Sequence, residues 1–316
     1  MSKTVPLGLV GDIGATNARF ALADREAVRS EPRLYKLEQF ASLEDVLDAF
    51  VRDEGAKPRE AVLAIAAPVT GDRVSMTNHD LSFSIEALRA RYAFDRLKVI
   101  NDFAANAMAI PHLSAGDVHQ IGGGEANRDA PIAVIGPGTG LGVSALVPCD
   151  QGHATPIQGE GGHATMSAHD DEEAAILAHV RKRFGHASAE RVLSGAGLVN
   201  LYTALCERAG ATPAALKPSD VTNPESADPH ARAATQIFCA MLGAAAGNVA
   251  LTLGARGVVY VAGGIAPRLG DVFIQSQFRA RFEAKGRFRN YLSVIPTLLI
   301  TRELPALLGA AKLLSA

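Results

Sequence analysis

Leu7-Gly8-Leu9-Val10-Gly11-Asp12-Ile13-Gly14-Ala15-Thr16-Asn17-Ala18-Arg19-Phe20-Ala21-Leu22-Ala23 is the stretch that decides the fold. Leu7–Gly11 reads as a buried strand and Ala18–Ala23 as a second. Asp12–Asn17 is the turn between them, with no room for a helix. Such a turn presents backbone N–H groups to an anion without Cβ obstruction. Thr16 and Asn17 add side-chain donors, and Asp12, at the strand end, can hold a magnesium ion through water. Asp, Gly and Asn equally suit an ordinary hairpin turn, so this stretch alone leaves both readings open.

A second strand–turn–strand begins after residue 130. Pro131–Ile135 is apolar, Gly136-Pro137-Gly138-Thr139-Gly140 is the turn, and Leu141–Val147 is apolar again. It echoes the first, one near the start of each half. Two phosphate loops facing each other would clamp a nucleoside triphosphate. No G-x-x-x-x-G-K-[ST] loop occurs. Gly140-Leu141-Gly142-Val143-Ser144-Ala145 fits a loose dinucleotide pattern, but that fingerprint needs a helix starting inside it. Val143–Val147 is short and stopped by Pro148, which predicts a strand instead.

Around these hairpins the chain alternates strand and helix. Ser42–Arg52 has helical spacing, Ala61–Ala66 reads as a buried strand, and Leu97–Ile100 is a strand ending at Asn101-Asp102. A helix over Phe103–Ile110 stops at Pro111, and Gly122–Asp129 reads as a linker or surface loop. Helices are expected over Asp170–Phe184, Gly197–Ala209, much of His230–Leu253, and near Leu304–Leu314, with a strand at Val258–Ala262 and a loop over Thr212–Pro229. At 316 residues the chain exceeds one core. The expected division is a smaller α/β domain of residues 1–111 plus 303–316 and a larger one of residues 112–302.

Composition narrows the function. Net charge is -2, so no global field recruits nucleic acid or an anionic membrane. Trp is absent and aromatics are 5%, which argues against base stacking. Cys149, Cys206 and Cys239 are scattered and odd in number, fitting small buried hydrophobes in a reducing compartment. The N-terminus lacks a long apolar run, so no secretory signal is expected. Ala233–Ala255 carries no charge but is Gly- and Ala-rich with Gln236 and Asn248, and it is read as a buried helix. A cytoplasmic protein without membrane or nucleic-acid partners is expected.

Two further constellations carry chemistry. Asp102, after a strand and at a domain junction, suits a general base, with Asn101 beside it to orient a substrate hydroxyl. Asp102 equally suits the N-cap of the following helix. In Gly159-Glu160-Gly161-Gly162-His163, Glu160 and His163 offer hydrogen-bonding partners for vicinal sugar hydroxyls. The same pair suits a metal site or a solvated loop.

These stretches, in this order, resemble the bacterial glucokinase family of the hexokinase type, within the actin-like ATPase superfamily. The resemblance runs through Gly11–Arg19, Ala67–Asp72, Met76-Thr77-Asn78, Asn101-Asp102-Phe103, Gly136–Gly142, Gly159–His163, Gly185–Gly195 and Ala262–Ile265. It implies an α/β, two-domain, ribonuclease H-like fold around a deep cleft, and ATP-dependent phosphorylation of the glucose 6-hydroxyl. It implies Asp102 as base, and sugar binding by Asn101, Asp102, Glu160, His163 and Glu190. ATP would meet Gly11, Asp12, Ile13, Gly14, Ala15, Thr16, Asn17, Gly138 and Thr139, with Gly263 and Gly264 near the adenosine and Mg2+ near Asp12. A homodimer is implied too. The Cys-rich zinc motif of ROK relatives is absent. A sugar sensor without turnover, another hexose and a polyphosphate donor remain alternatives at this point.

Overall fold

The computed structural model describes residues 7–76, 80–149 and 154–315. Thr77-Asn78 of the motif above, and Met1–Pro6, lie outside them. The chain forms two compact units. One gathers Met1–Ser114, Pro156–Gly159 and Arg302–Ala316, and the other gathers Ala115–Thr155 and Glu160–Thr301.

The first unit contains β1 (Gly8–Ile13), β2 (Asn17–Ala23), β3 (Arg33–Lys36), β4 (Glu60–Ile65), a small pair β5 (Arg73–Ser75) and β6 (Ser82–Ser84), and β7 (Arg96–Asn101). The main sheet runs β3-β2-β1-β4-β7, with β1 antiparallel to β2 and parallel to β4, and β4 parallel to β7. Its helices are α1 (Leu43–Glu54), α2 (Ile85–Arg91) and α3 (Asp102–Ala109). Ser42 caps α1 by accepting the Asp45 N–H, and Gly55 at φ 63 ends it. Leu43, Val46, Leu47 and Phe50, at helical spacing, pack on Phe20, Leu63 and Ile65. Side chains alternate along a strand, so β4 turns Val62 to the other face. There Val10, Ala21 and Val62 meet Leu307 and Ala311 of the C-terminal helix Pro305–Ala311, while Ala64, Ile100, Ala105 and Ala306 pack together.

The second sheet contains β8 (Val118–Gly122), β9 (Ile132–Pro137), β10 (Leu141–Pro148), β11 (Ala154–Gly159, of which Pro156–Gly159 are gathered with the first unit), β12 (Val259–Val261) and β13 (Thr297–Ile300). The order is β11-β10-β9-β12-β13-β8, with β9 antiparallel to β10, and with β9, β12 and β13 mutually parallel. Hairpin, then parallel strands added on one side, repeats the first sheet's plan. The echo between the two hairpins is therefore a repeat of topology.

Helices α4 (Asp171–Phe184), α5 (Gly195–Arg208), α6 (Pro218–Val221) and α7 (Pro229–Leu253) follow. The uncharged stretch lies in α7, which is long and apolar enough to cross a membrane and is 61% buried over its most apolar window. Its small residues serve packing. A Cβ on Gly243 would lie 2.1 Å from the Phe278 carbonyl oxygen, so Gly lets the helix Phe278–Glu283 approach.

Three expectations change. Gly122 belongs to β8 rather than to a linker, because antiparallel pairing with Thr297 on β13 takes up that backbone. The Thr212–Pro229 loop holds α6 and is tied down by Tyr202, whose hydroxyl accepts the Ala214 N–H and donates to Asp228. Cys206 and Cys239 are buried, but Cys149 is exposed.

Candidate active site

In the first unit the sheet register gathers the predicted residues at one edge. Ile13 pairs with Ile65, and Ile65 with Asn101. With parallel strands about 4.8 Å apart, the Asp12 turn and Asn101-Asp102 end on the same carboxyl-terminal edge, roughly 10 Å apart. The turn is tighter than its sequence suggests, since Asp12 and Ile13 belong to β1 and Asn17 begins β2. Gly14 N–H closes it onto the Asn17 carbonyl at 2.9 Å. The Asn17 amide donates to Thr16 Oγ1 at 3.0 Å. Asp12 faces Arg19 across the hairpin. Burial pushes the Asp12 carboxyl up from its ordinary range, and the Arg19 charge opposes that rise. Gly11 has a packing reason to be glycine: a Cβ there would meet the Phe20 ring at 2.7 Å and Leu63 at 2.8 Å.

The N-cap of α3 is Asn101, not Asp102. The Asn101 Oδ1 accepts the Phe103 and Ala104 N–H groups at 2.9 and 3.2 Å. The extended backbone of Asn101 at φ -63 and ψ 144 suits a cap, and Asp102 is already helical. The amide carbonyl of Asn101 is therefore occupied, and what it can offer a ligand is the Nδ2 donor, held among the described residues only by a 3.5 Å bond to the Ala67 carbonyl. Asp102 is half-buried, with Oδ1 accepting the Phe103 N–H at 2.9 Å. The backbone N–H of Asn101 donates to Gln158 Oε1 at 3.2 Å, a fixing contact that sequence reading did not find.

In the second unit Gly138-Thr139-Gly140 caps the β9–β10 hairpin, with Gly138 N–H donating to the Gly140 carbonyl at 2.8 Å. A Cβ on Gly138 would meet nothing within 4 Å, so internal packing does not explain that glycine. Gly263, at φ +81, passes so close that a Cβ would lie 2.3 Å from the Pro137 carbonyl oxygen. Gly263-Gly264 and the Gly138 turn therefore form one surface. Glu160 and His163 are exposed side chains with His163 Nε2 3.9 Å from Glu160 Oε2. Gly162 is buried, and a Cβ would lie 2.1 Å from the Leu141 carbonyl oxygen. Glu190 joins the group: its N–H donates to the Gly162 carbonyl at 2.8 Å and its Oε2 accepts the Leu141 N–H at 2.9 Å. No spacing rule points to Glu190, which lies in a segment without regular structure. Among the described residues no three His, Cys, Asp or Glu side chains gather as a metal site.

A family model described as Glucokinase matches residues 9–316. The chain is 50% identical to a glucokinase of Aromatoleum aromaticum over 317 residues, covering 98% of this chain and 95% of that protein. Among solved structures, a glucokinase from an Antarctic psychrotroph is 35% identical with a TM-score of 0.84, covering 98% of each chain. A Balamuthia mandrillaris glucokinase solved in complex with glucose matches in fold, with a TM-score of 0.82 at 22% identity, over 98% of this chain and 94% of that one. Two sheets of one plan, each carrying a glycine-bearing hairpin turn, and these likenesses define a sugar kinase with the actin-like ATPase fold. Within that class the chain belongs to the glucokinase family.

Proposed function

We propose that the chain transfers the γ-phosphoryl group of ATP to the 6-hydroxyl of glucose, giving glucose 6-phosphate and ADP, with Asp102 as general base. The observation that carries this reading is the register of the first sheet, which ends the Asp12 turn and Asp102 on one edge. Phosphoryl transfer asks for alignment and charge neutralisation more than for covalent chemistry. Asp102 takes the 6-hydroxyl proton as that oxygen bonds to phosphorus, and the bond from phosphorus to the bridging oxygen of ADP breaks. The Asn101 cap supports the role by fixing the start of α3, and so the Asp102 backbone.

Asn101 through Nδ2, with Glu160, His163 and Glu190, binds the sugar hydroxyls. The turns at Gly11–Asn17 and Gly138-Thr139 hold the phosphates through backbone N–H groups, and Gly263-Gly264 lies against the adenosine. Asp12 suits a magnesium ion. Magnesium keeps several waters and takes one or two carboxylates plus substrate phosphates, and a cation would relieve the burial cost that raises the Asp12 carboxyl. When bound, the ion would neutralise phosphate charge. The family resemblance adds to this proposal a cytoplasmic homodimer that feeds glucose into glycolysis.

The test is ADP release from MgATP with and without glucose and across a hexose panel, with Asp102→Asn beside the unaltered protein. Glucose-dependent release that falls by about 10²–10⁴-fold in the variant, with glucose affinity by calorimetry nearly unchanged, is the expected result. An Asp102→Asn protein turning over at the normal rate overturns the base assignment. Glucose binding without ADP release in the unaltered protein overturns the kinase reading.

A further inference from the structure

We propose that Glu190 is a two-sided carboxylate, one oxygen holding the phosphate turn and the other left for the sugar, so that it links nucleotide and sugar binding inside the second unit. The inference rests on the reading above that the Gly138–Gly140 turn receives phosphate and that Glu190 meets the sugar.

The geometry is specific. Oε2 of Glu190 accepts the N–H of Leu141, the residue at which the phosphate turn re-enters β10. Leu141 pairs with Pro137 in the hairpin, so the bond sits at the foot of the turn. The turn's other end is held from the same segment: the Gly138 carbonyl accepts the N–H of Gly195, where α5 begins. Residues 190 and 195 thus grip both ends of the turn. The backbone of Glu190 makes a second set of bonds. Its N–H donates to Gly162, and the neighbouring Ala189 N–H donates to the Ala164 carbonyl, so it is stitched to the loop that carries Glu160 and His163. Among the described residues Oε1 has no hydrogen-bond partner.

A carboxylate is an acceptor at both oxygens, so one group can serve a backbone N–H and a sugar hydroxyl together. Hydrogen bonds to a charged acceptor are about twice as strong as neutral ones. A sugar hydroxyl on Oε1 fixes the carboxylate, and the fixed carboxylate holds the Leu141 N–H and the turn. By linkage, a turn held by bound phosphate favours sugar in the same proportion.

Two substitutions separate this from a plain sugar contact. Glu190→Met keeps length and removes both acceptors. Glu190→Gln keeps one carbonyl oxygen for Leu141 and turns an uncharged NH2 donor, in place of an acceptor, to the sugar. The first readout is the affinity for AMP-PNP with no sugar present, beside that for adenosine. Removing a negative charge should on electrostatics alone tighten a polyphosphate. The proposal expects the opposite: Glu190→Met weakens AMP-PNP roughly three- to ten-fold and leaves adenosine unchanged, and Glu190→Gln recovers most of the loss.

The second readout is the factor by which glucose improves AMP-PNP binding, which both variants should reduce. Sugar-free AMP-PNP affinity in Glu190→Met equal to that of the unaltered protein, or tighter, overturns the proposal. Loss of adenosine and AMP-PNP binding in equal proportion also overturns it, since that marks general damage to the unit. Unchanged glucose affinity in Glu190→Met refutes Glu190 as a sugar ligand, an outcome distinct from either. If Glu190→Met does not fold, Glu190→Asp, one methylene short of Leu141, reads the same quantities.

Discussion

Gly309 lets the C-terminal helix close on α3, whose first residue is the proposed base Asp102, and Gly309→Ala tests that link. Gly309 lies in the C-terminal helix Pro305–Ala311, which packs on α3. A Cβ on Gly309 would lie 1.8 Å from the Ala105 carbonyl oxygen and 3.0 Å from the Ala109 nitrogen. Those two atoms are partners four residues apart along α3, so the methyl would enter an intrahelical hydrogen bond. Both are backbone, and no side chain can turn aside. Ordinary contact is near 3.5 Å, so the helices must part by about 1.7 Å or the bond must open. Overpacking of this kind costs about 1–3 kcal/mol.

Ala105 lies one turn from Asp102. A displacement of about 1 Å at a reacting group can cost on the order of 10²-fold in rate. The chain has no Trp, so stability is best followed by far-ultraviolet circular dichroism during urea titration, with glucose-dependent ADP release measured on the same preparation. Gly71→Ala, whose Cβ would meet nothing within 4 Å, is the control. The expected result is a lower midpoint and at least ten-fold slower turnover for Gly309→Ala, with neither change in the control. A Gly309→Ala protein with the normal midpoint refutes the packing argument. A lower midpoint with unchanged turnover refutes the link from that helix to Asp102.

Asp12→Asn should raise the thermal midpoint of the ligand-free protein at neutral pH while depressing magnesium-dependent turnover. Burial raises the Asp12 carboxyl, so its charged form opposes folding. That cost is absent below the ordinary carboxylate range and grows as pH rises through the folded value. The gain from Asp12→Asn should therefore shrink as pH falls toward about 4, which a midpoint-versus-pH series reads directly. Tyr202→Phe should destabilise the second unit by about 1–3 kcal/mol in a urea titration, because the buried hydroxyl joins Ala214 to Asp228, the cap of α7. Gly162→Ala should slow turnover and weaken glucose binding by calorimetry, since its Cβ would drive the Glu160–His163 loop off Leu141.

The hairpins were legible because their signal is local. Alternating apolar runs around a glycine turn specify antiparallel neighbours without help from the rest of the chain. The rejection of a dinucleotide fold was also local: Pro148 ends a short β-branched run, and β10 is a strand. Of the strands that reading missed, β3 is four residues with three exposed, and β11 is mostly exposed, so neither shows an apolar run. β13 was missed although it is mostly buried and Leu298-Leu299-Ile300 is apolar.

The site divides along the same line. Asp102 was visible as a carboxylate at a strand end, yet its neighbour took the cap. Both side chains can cap, and the choice depends on where β7 stops pairing with β4. Glu190 was visible only through family resemblance, since its partners Leu141 and Gly162 lie 49 and 28 residues away and the bonds use their backbone. Backbone partners leave no trace in residue type, because every residue but proline carries the same N–H. The residues that hold a site in place through the main chain, Glu190 and Gln158 here, are therefore the ones a sequence conceals. The polar side chains that stand at a strand end or in a glycine-rich loop, Asp102, Glu160 and His163, are the ones it displays.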